Sequence, residues 1–174
     1  MAAGSLSRLT LVLGGARSGK SRYAEELIAR AEPPWVYLAT AQALDDEMQE
    51  RIDHHRRRRD ARWRTVEAPI ELPQALDELG ENGQPILVDC LTLWLSNALL
   101  ADTDLTIAGD RLIAALTEAP GPVVVVSNEV GLGIVPDTPL GRRFRDAQGR
   151  LNQQVAAIAD HVVLLAAGLP LTLK

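Results

Sequence analysis

The octet GGARSGKS, residues 14 to 21, has the residue types and the spacing to hold a phosphate. Gly14, Gly19, Lys20 and Ser21 fit G-x-x-x-x-G-K-[ST], the phosphate-binding loop. Each type answers a chemical need. The glycines let backbone N–H groups turn toward phosphate oxygens, Lys20 reaches the β and γ phosphates, and the Ser21 hydroxyl is a ligand for Mg2+. The apolar run LTLVL precedes the octet and a helical pattern follows it, so the positive end of a helix dipole adds to the same site. The whole loop, Gly14, Gly15, Ala16, Arg17, Ser18, Gly19, Lys20 and Ser21, is expected to bind nucleotide. Such a loop needs an acid elsewhere to hold magnesium, commonly at the end of an apolar strand. ILVDCL places Asp89 there. The plainer reading of Asp89 is a buried aspartate that caps a helix start.

The second chemical stretch is LDDEMQERIDHHRRRRDARW, residues 44 to 63. On a helix advancing about 100° per residue, Leu44, Met48 and Ile52 share one stripe, His55 falls inside it, and His54 falls outside. Arg59 shares the stripe with His55. Arg56, Arg57, Arg58 and Arg59 give His55 a strongly positive setting, which favours the neutral, nucleophilic imidazole and attracts an anion such as a triphosphate. The plainer reading is a solvated basic helix end, with Asp45, Asp46 and Glu47 complementing the dipole at its start. Metal binding by the two histidines is disfavoured, because neighbours on a helix point about 100° apart. A nucleic-acid arm is disfavoured too, since no aromatics interleave the arginines and the chain is acidic overall, with a net charge of −5.

These residues need elements to position them. Apolar runs of strand length recur at 9–13, 35–39, 86–91, 123–127 and 161–165, apolar on nearly every position as in strands buried on both faces of a parallel sheet. WRTVE, residues 63 to 67, is a further short strand. Helical patterns occupy 20–31, 44–59, 71–80, 92–100, 105–118 and 139–159. Strands alternating with helices imply βαβ units and helices on both faces of the sheet. The tail HVVLLAAGLPLTLK reads as two short strands around a Gly-Leu-Pro turn at a sheet edge. In such folds ligands sit at the carboxyl ends of the strands. The residues to inspect are then the phosphate loop, Thr40-Ala41-Gln42, Asp89 and the residues after it, and Ser127-Asn128-Glu129. Asn128 and Glu129 could contact nucleotide, magnesium or substrate, and Glu129 could act as a base. Cys90 reads as core. Trp63 and Trp94 read as core or interface aromatics, and LTLWLSNALL (91–100) as a segment apolar on more than one face that could carry subunit contacts.

A chain of 174 residues fits one domain, 1–174, able to bury a core, and 47% apolar against 24% charged residues is a globular balance. One cysteine excludes an internal disulfide and fits a reducing compartment. The start has no apolar core of signal-peptide length and no run is long enough to span a bilayer, so the expectation is a cytoplasmic protein with no membrane span. The guanine-reading string N/T-K-x-D of regulatory GTPases does not occur.

GGARSGKSRYAEELI, YLATAQALDDEMQERIDHHRRRR, WRTVEAP, ILVDCLTLWLSN, VVVVSNEVGLGIVP and FRDAQGRLNQQVA follow one another as in the bifunctional adenosylcobinamide kinase / adenosylcobinamide-phosphate guanylyltransferase family, which the chain resembles from about residue 9 to its end. The histidine pair with its arginines, and SNEVGLGIVP, are the specific parts of that likeness. The resemblance implies a RecA-like P-loop NTPase fold of the α/β class: a mostly parallel central sheet flanked by helices, with a C-terminal antiparallel edge. It implies that a nucleoside triphosphate, GTP or ATP, phosphorylates the aminopropanol hydroxyl of adenosylcobinamide. GMP then passes from GTP through a GMP–histidine to adenosylcobinamide phosphate, giving adenosylcobinamide-GDP in cobalamin biosynthesis. The family's nucleophile falls on His55, the histidine the helical spacing had already favoured. Its nucleotide positions fall on residues 14 to 21, on Ala39, Thr40 and Ala41, on Arg56 to Arg59, on Glu67 and on Asp89, with Ser21 and Asp89 as magnesium ligands. It also implies a homotrimer. Relatives usually carry proline after the arginines where this chain has Asp60. A kinase of another small metabolite is the alternative, and it predicts no covalent nucleotide.

Overall fold

The computed structural model describes residues 6–43, 46, 50, 52, 57, 59–80 and 83–174. Within them seven strands form one sheet: β1 Leu9–Gly14, β2 Trp35–Ala39, β3 Trp63–Glu67, β4 Ile86–Asp89, β5 Val123–Asn128, β6 His161–Ala166 and β7 Leu169–Thr172. Their order is β3-β2-β4-β5-β1-β6-β7, with β6–β7 antiparallel and every other pairing parallel. The expectation of a mostly parallel sheet with an antiparallel C-terminal edge is met.

The described helices are α1 Lys20–Ile28, α2 Leu72–Gly80, α3 Leu91–Leu100, α4 Leu105–Glu118 and α5 Pro139–Ile158. The helix expected over 44–59 lies largely outside the described residues; Asp46, Glu50, Ile52 and Arg57, which are described, have helical backbone. Two apolar clusters cover the two faces of the sheet. On one, Leu9, Leu11, Val36, Leu38, Val88 and Val125 meet residues of α2 to α5. On the other, Val12, Tyr37, Leu87, Val124 and Val126 meet Ala24, Leu27 and Ile28 of α1. The alternation along each strand is the period-2 pattern of a sheet buried on both sides, which is why these strands read as continuous apolar runs.

One expectation is corrected. The C-terminal reversal is not at Gly-Leu-Pro. Ala167 (φ 52°) and Gly168 (φ 81°) make a two-residue turn, and Ala166 pairs directly with Leu169. Positive φ at both central residues matches the right-handed twist of a tight hairpin, and Pro170 is tolerated because β7 is an edge strand. Helix α3 is apolar on more than one face, as expected, and most of it packs inside the chain while Leu100 is exposed. Leu91, Trp94, Leu95, Ala98 and Leu99 are buried within the chain, and the Trp94 indole N–H donates to the Ile70 carbonyl at 2.7 Å.

Candidate active site

The phosphate loop joins β1 to α1, and sterics dictate its glycines. A Cβ on Gly14 would lie 2.6 Å from the Leu165 carbonyl oxygen and 2.6 Å from Ser18 Oγ, a separation that demands rearrangement. Gly19 has φ 94°, a conformation costly for a side chain. Gly15 meets nothing within 4 Å, so sterics do not require it to be glycine. Helix α1 starts at Lys20 with Gly19 as its N-cap, no side-chain cap and no acid in its first turn, which leaves its leading N–H groups to an anion. Lys20 is buried and its ammonium donates to the Gly15 carbonyl at 2.5 Å. Burial lowers its pKa, against the pull of Cys90 and Asp89 nearby.

The registers of the sheet bring the other candidates to the same place. Glu67 pairs with Ala39, Ala39 with Asp89, and Gly14 with Asn128. By the two-residue alternation each of these lies on the face of its strand that also carries Trp63, Tyr37, Leu87, Val12 or Val126, the face that α1 covers. Glu67, Ala39 and Asp89 are therefore level on one face at three strand ends, and Asn128 and Gly14 lie on the same face two residues further along theirs, since Asp89 pairs with Val126. Strand β5 separates the phosphate-loop strand from the strand of Asp89.

Asp89 is held from below. The Tyr37 hydroxyl, one layer down on β2, donates to Asp89 Oδ2 at 3.0 Å. Burial, and then the negative charge of Asp89, push the Tyr37 pKa well above its ordinary value, so Tyr37 remains a donor. The Arg59 guanidinium lies on the other side, its Cζ 3.6 Å from the centre of the Tyr37 ring. Among the described residues, Arg59 Nη1 is buried without a hydrogen-bond partner. Thr40 ties β2 to the start of α3: its hydroxyl donates to the Cys90 carbonyl and accepts the Cys90 N–H, both at 2.7 Å. Asn97 Nδ2 donates to the Thr40 carbonyl at 2.9 Å. Thr40 thus positions the Asp89 end of β4 through its own polar groups. Cys90 is buried and its thiol is pushed up to about 12 by burial first and by Asp89 second, the behaviour of a core residue.

A groove lies beside these strand ends, lined by Arg59, Asp60, Trp63, Thr65 and Glu67. Asp60 opens the turn into β3. Its Oδ1 accepts the Arg62 N–H at 2.9 Å, its Oδ2 pairs with the Arg62 guanidinium at 2.6 Å, and these bonds to Arg62 lower its pKa. Trp63 packs against Trp35 at 5.1 Å and edge-on to Tyr37 at 6.2 Å, which fixes that wall. Ser21 is half-buried in the first turn of α1, Ala41 follows Thr40, and Arg57 is exposed. His55, Arg56 and Arg58 lie outside the described residues.

Sequence reasoning missed Tyr37 and the polar side chains that fasten the strand ends, Thr92, Asn97, Gln148 and Asn152. A hydroxyl inside an otherwise apolar strand, on the same face as an acid of the neighbouring strand, was the available signal for Tyr37.

The geometry defines a fold class: α/β with the RecA-like P-loop NTPase arrangement, the candidate residues lying at the carboxyl ends of the strands. Two solved structures share the fold. A type III secretion system ATPase of pathogenic bacteria superposes with a TM-score of 0.58 at 13% identity, covering 92% of this chain and 51% of that one, so this chain spans about half of that structure. The flagellar accessory protein FlaH from Methanocaldococcus jannaschii gives 0.54 at 13% identity, covering 98% of this chain and 80% of that one. The family is settled by sequence: residues 10–173 match the model of the cobinamide kinase / cobinamide phosphate guanyltransferase family, and the chain belongs to it. Its relatives include the bifunctional adenosylcobalamin biosynthesis protein CobP of Pseudomonas aeruginosa, 51% identical over 94% of this chain and 96% of the relative. The CobU proteins of Salmonella typhimurium and Escherichia coli are 43% and 42% identical, each over 95% of this chain and 99% of the relative.

Proposed function

We propose that the chain, as one domain, phosphorylates the aminopropanol hydroxyl of adenosylcobinamide and then transfers GMP from GTP to the product, giving adenosylcobinamide-GDP. The reading rests on family membership together with one observation: the phosphate loop, Asp89, Ala39 and Glu67 lie along one face at the carboxyl end of one sheet. In the kinase step the acceptor hydroxyl attacks the γ-phosphorus, the bond to the β–γ bridging oxygen breaks, and the hydroxyl proton leaves. The N–H groups of residues 14 to 21 and the Lys20 ammonium hold the phosphates. Ser21 and Asp89 offer a hydroxyl and a carboxylate oxygen, the hard donors that suit Mg2+, which neutralises charge on the phosphates when bound.

In the second step a ring nitrogen of His55 attacks the α-phosphorus of GTP and pyrophosphate leaves. A phosphate oxygen of adenosylcobinamide phosphate then displaces the histidine and takes the GMP. Covalent catalysis divides a difficult transfer between two anions into two easier ones. Arg56 to Arg59 stabilise the charge that develops, a role supported by Arg59 Nη1, which is buried without a hydrogen-bond partner among the described residues. GTP serves the second step and GTP or ATP the first. The protein is read as a cytoplasmic homotrimer; among the described residues no helix is long and apolar enough to cross a membrane.

The test is incubation with magnesium and GTP labelled at the α-phosphate. Acid-labile, base-stable label on the wild type is expected, lost in His55→Ala and kept in His54→Ala. Folded, GTP-binding wild type that takes up no label would overturn the guanylyltransferase half of the reading.

A further inference from the structure

We infer that Asn128 is a catalytic residue of the kinase half-reaction, its carboxamide contacting the phosphoryl group in transfer. The inference rests on the kinase reading above. Its basis is a contrast between how tightly the backbone of Asn128 is fixed and how little its side chain is used.

The backbone of Asn128 is clamped from three directions. Its N–H donates to Thr92 Oγ1 at 2.8 Å, a side chain in the first turn of α3 just beyond Asp89. Its carbonyl accepts Asn152 Nδ2 of α5 at 3.1 Å. The next N–H, of Glu129, donates to the Gly14 carbonyl at 3.1 Å, at the mouth of the phosphate loop. Behind this lies a set of buried polar groups, in which Gln148 Oε1 has no hydrogen-bond partner among the described residues. Ser127 Oγ donates to Asn152 Oδ1 at 2.7 Å, and Gln148 Nε2 lies 2.9 Å from both Ser127 Oγ and Asn152 Oδ1. Ser127 and Gln148 have no exposed surface, Asn152 6% and Thr92 8%. Buried polar side chains are costly where leucine would pack, and what this set achieves is a fixed position for one peptide.

The side chain is another matter. Along β5, Val123 and Val125 pack on the α2–α5 face and Val124 and Val126 on the α1 face. Continuing that alternation puts Ser127 on the first face, where it meets Gln148 and Asn152, and Asn128 on the second, with the phosphate loop and Asp89. The pairing of Asn128 with Gly14, and of Val126 with Asp89, sets it between the two. The carboxamide is half-buried and makes no hydrogen bond among the described residues. An amide N–H there can donate to a γ-phosphate oxygen whose charge rises during transfer. The neighbouring Glu129 is less free, since its Oε1 accepts the Gly131 N–H at 2.7 Å and shapes the following loop.

The experiment compares wild type, Asn128→Ala and the isosteric Asn128→Asp. It measures phosphorylation of adenosylcobinamide, incorporation of GMP into the protein, ATP binding and thermal melting. For Asn128→Ala we expect the kinase kcat to fall by about 100-fold, the scale of losing one donor to developing charge, with GMP incorporation, nucleotide affinity and melting close to wild type. Asn128→Asp should be slower still, because its charge repels the phosphoryl group. A kinase kcat unchanged in Asn128→Ala overturns the inference. So does an equal fall in both activities, which marks general damage. Wild type that does not phosphorylate adenosylcobinamide would instead overturn the kinase reading.

Discussion

Tyr37 stands between two opposite charges, with the Asp89 carboxylate at its hydroxyl and the Arg59 guanidinium on its ring. Removing the hydroxyl alone separates those roles. Tyr37→Phe should keep the arginine stacked but free the carboxylate to rotate, raising the Mg2+ needed for half-maximal kinase rate by about tenfold, the scale of losing an outer partner of a metal ligand. A titration of rate, and of Mn2+ binding by electron paramagnetic resonance, against metal concentration reads this; identical curves for both proteins would dismiss it. Cys90 gives a pH signature. Its thiol ionises at about 12 in the fold against an ordinary value of 9.0. The folded state therefore holds a proton that the unfolded state loses, so the contribution of Cys90 is complete below 9.0 and falls as pH rises toward about 12. Urea midpoints for Cys90→Ala should decline less over that range than those of wild type. Lys20 and Asp89 were legible in the sequence because a spaced motif and an acid in an apolar strand are local signals. Tyr37 was not, because its meaning depends on the 52-residue step in sequence that pairs it with Asp89.

At the scale of elements, the site is a set of strand ends, so the strands must stop at the right height. Gly14 shows how little room there is: Gly14→Ala places a methyl group against the Leu165 carbonyl of the neighbouring strand. It should lose nucleotide binding and destabilise the fold by about 1–3 kcal/mol, as overpacking does, measured by titration calorimetry and urea unfolding. Helix α4 offers the contrast. Asp104 caps it, accepting from the Thr106 and Ile107 N–H groups at 2.9 and 3.2 Å. Asp104→Ala should cost about 1 kcal/mol of stability and leave both activities intact. The strands and most helix limits were readable from periodicity because burial on both faces leaves an unbroken apolar run. The last turn was misplaced because Gly-Leu-Pro is a strong local turn signal, while the real turn uses Ala167 in a conformation that alanine seldom adopts. The clamp on Asn128 was invisible, since Gln148 and Asn152 lie on a helix twenty or more residues further along the chain.

For the whole molecule, the strand order sets β4, β5 and β1 at the centre, carrying Asp89, Asn128 and Gly14, while Ala39 lies on β2 and Glu67 on the edge strand β3. The best-buried strands thus carry three of the five candidate residues of the proposed site. Leu132, Ile134, Val135, Leu169, Leu171 and Leu173 are exposed. The proposed homotrimer predicts a mass three times that of the chain by light scattering in dilute buffer, and a monomer mass would refute it. The tight turn between β6 and β7 reaches back to the phosphate loop, where the Gly168 N–H donates to the Ser18 carbonyl at 3.1 Å and Gly168 Cα would lie 3.6 Å from a Cβ on Gly19. The loop proposed to grip phosphate therefore leans on a hairpin whose outer strand is exposed. That makes the hairpin a place to listen from: a small fluorophore on Leu171 would sit outside the reaction chamber yet one mechanical step from it, and its signal would report nucleotide arrival and departure in real time.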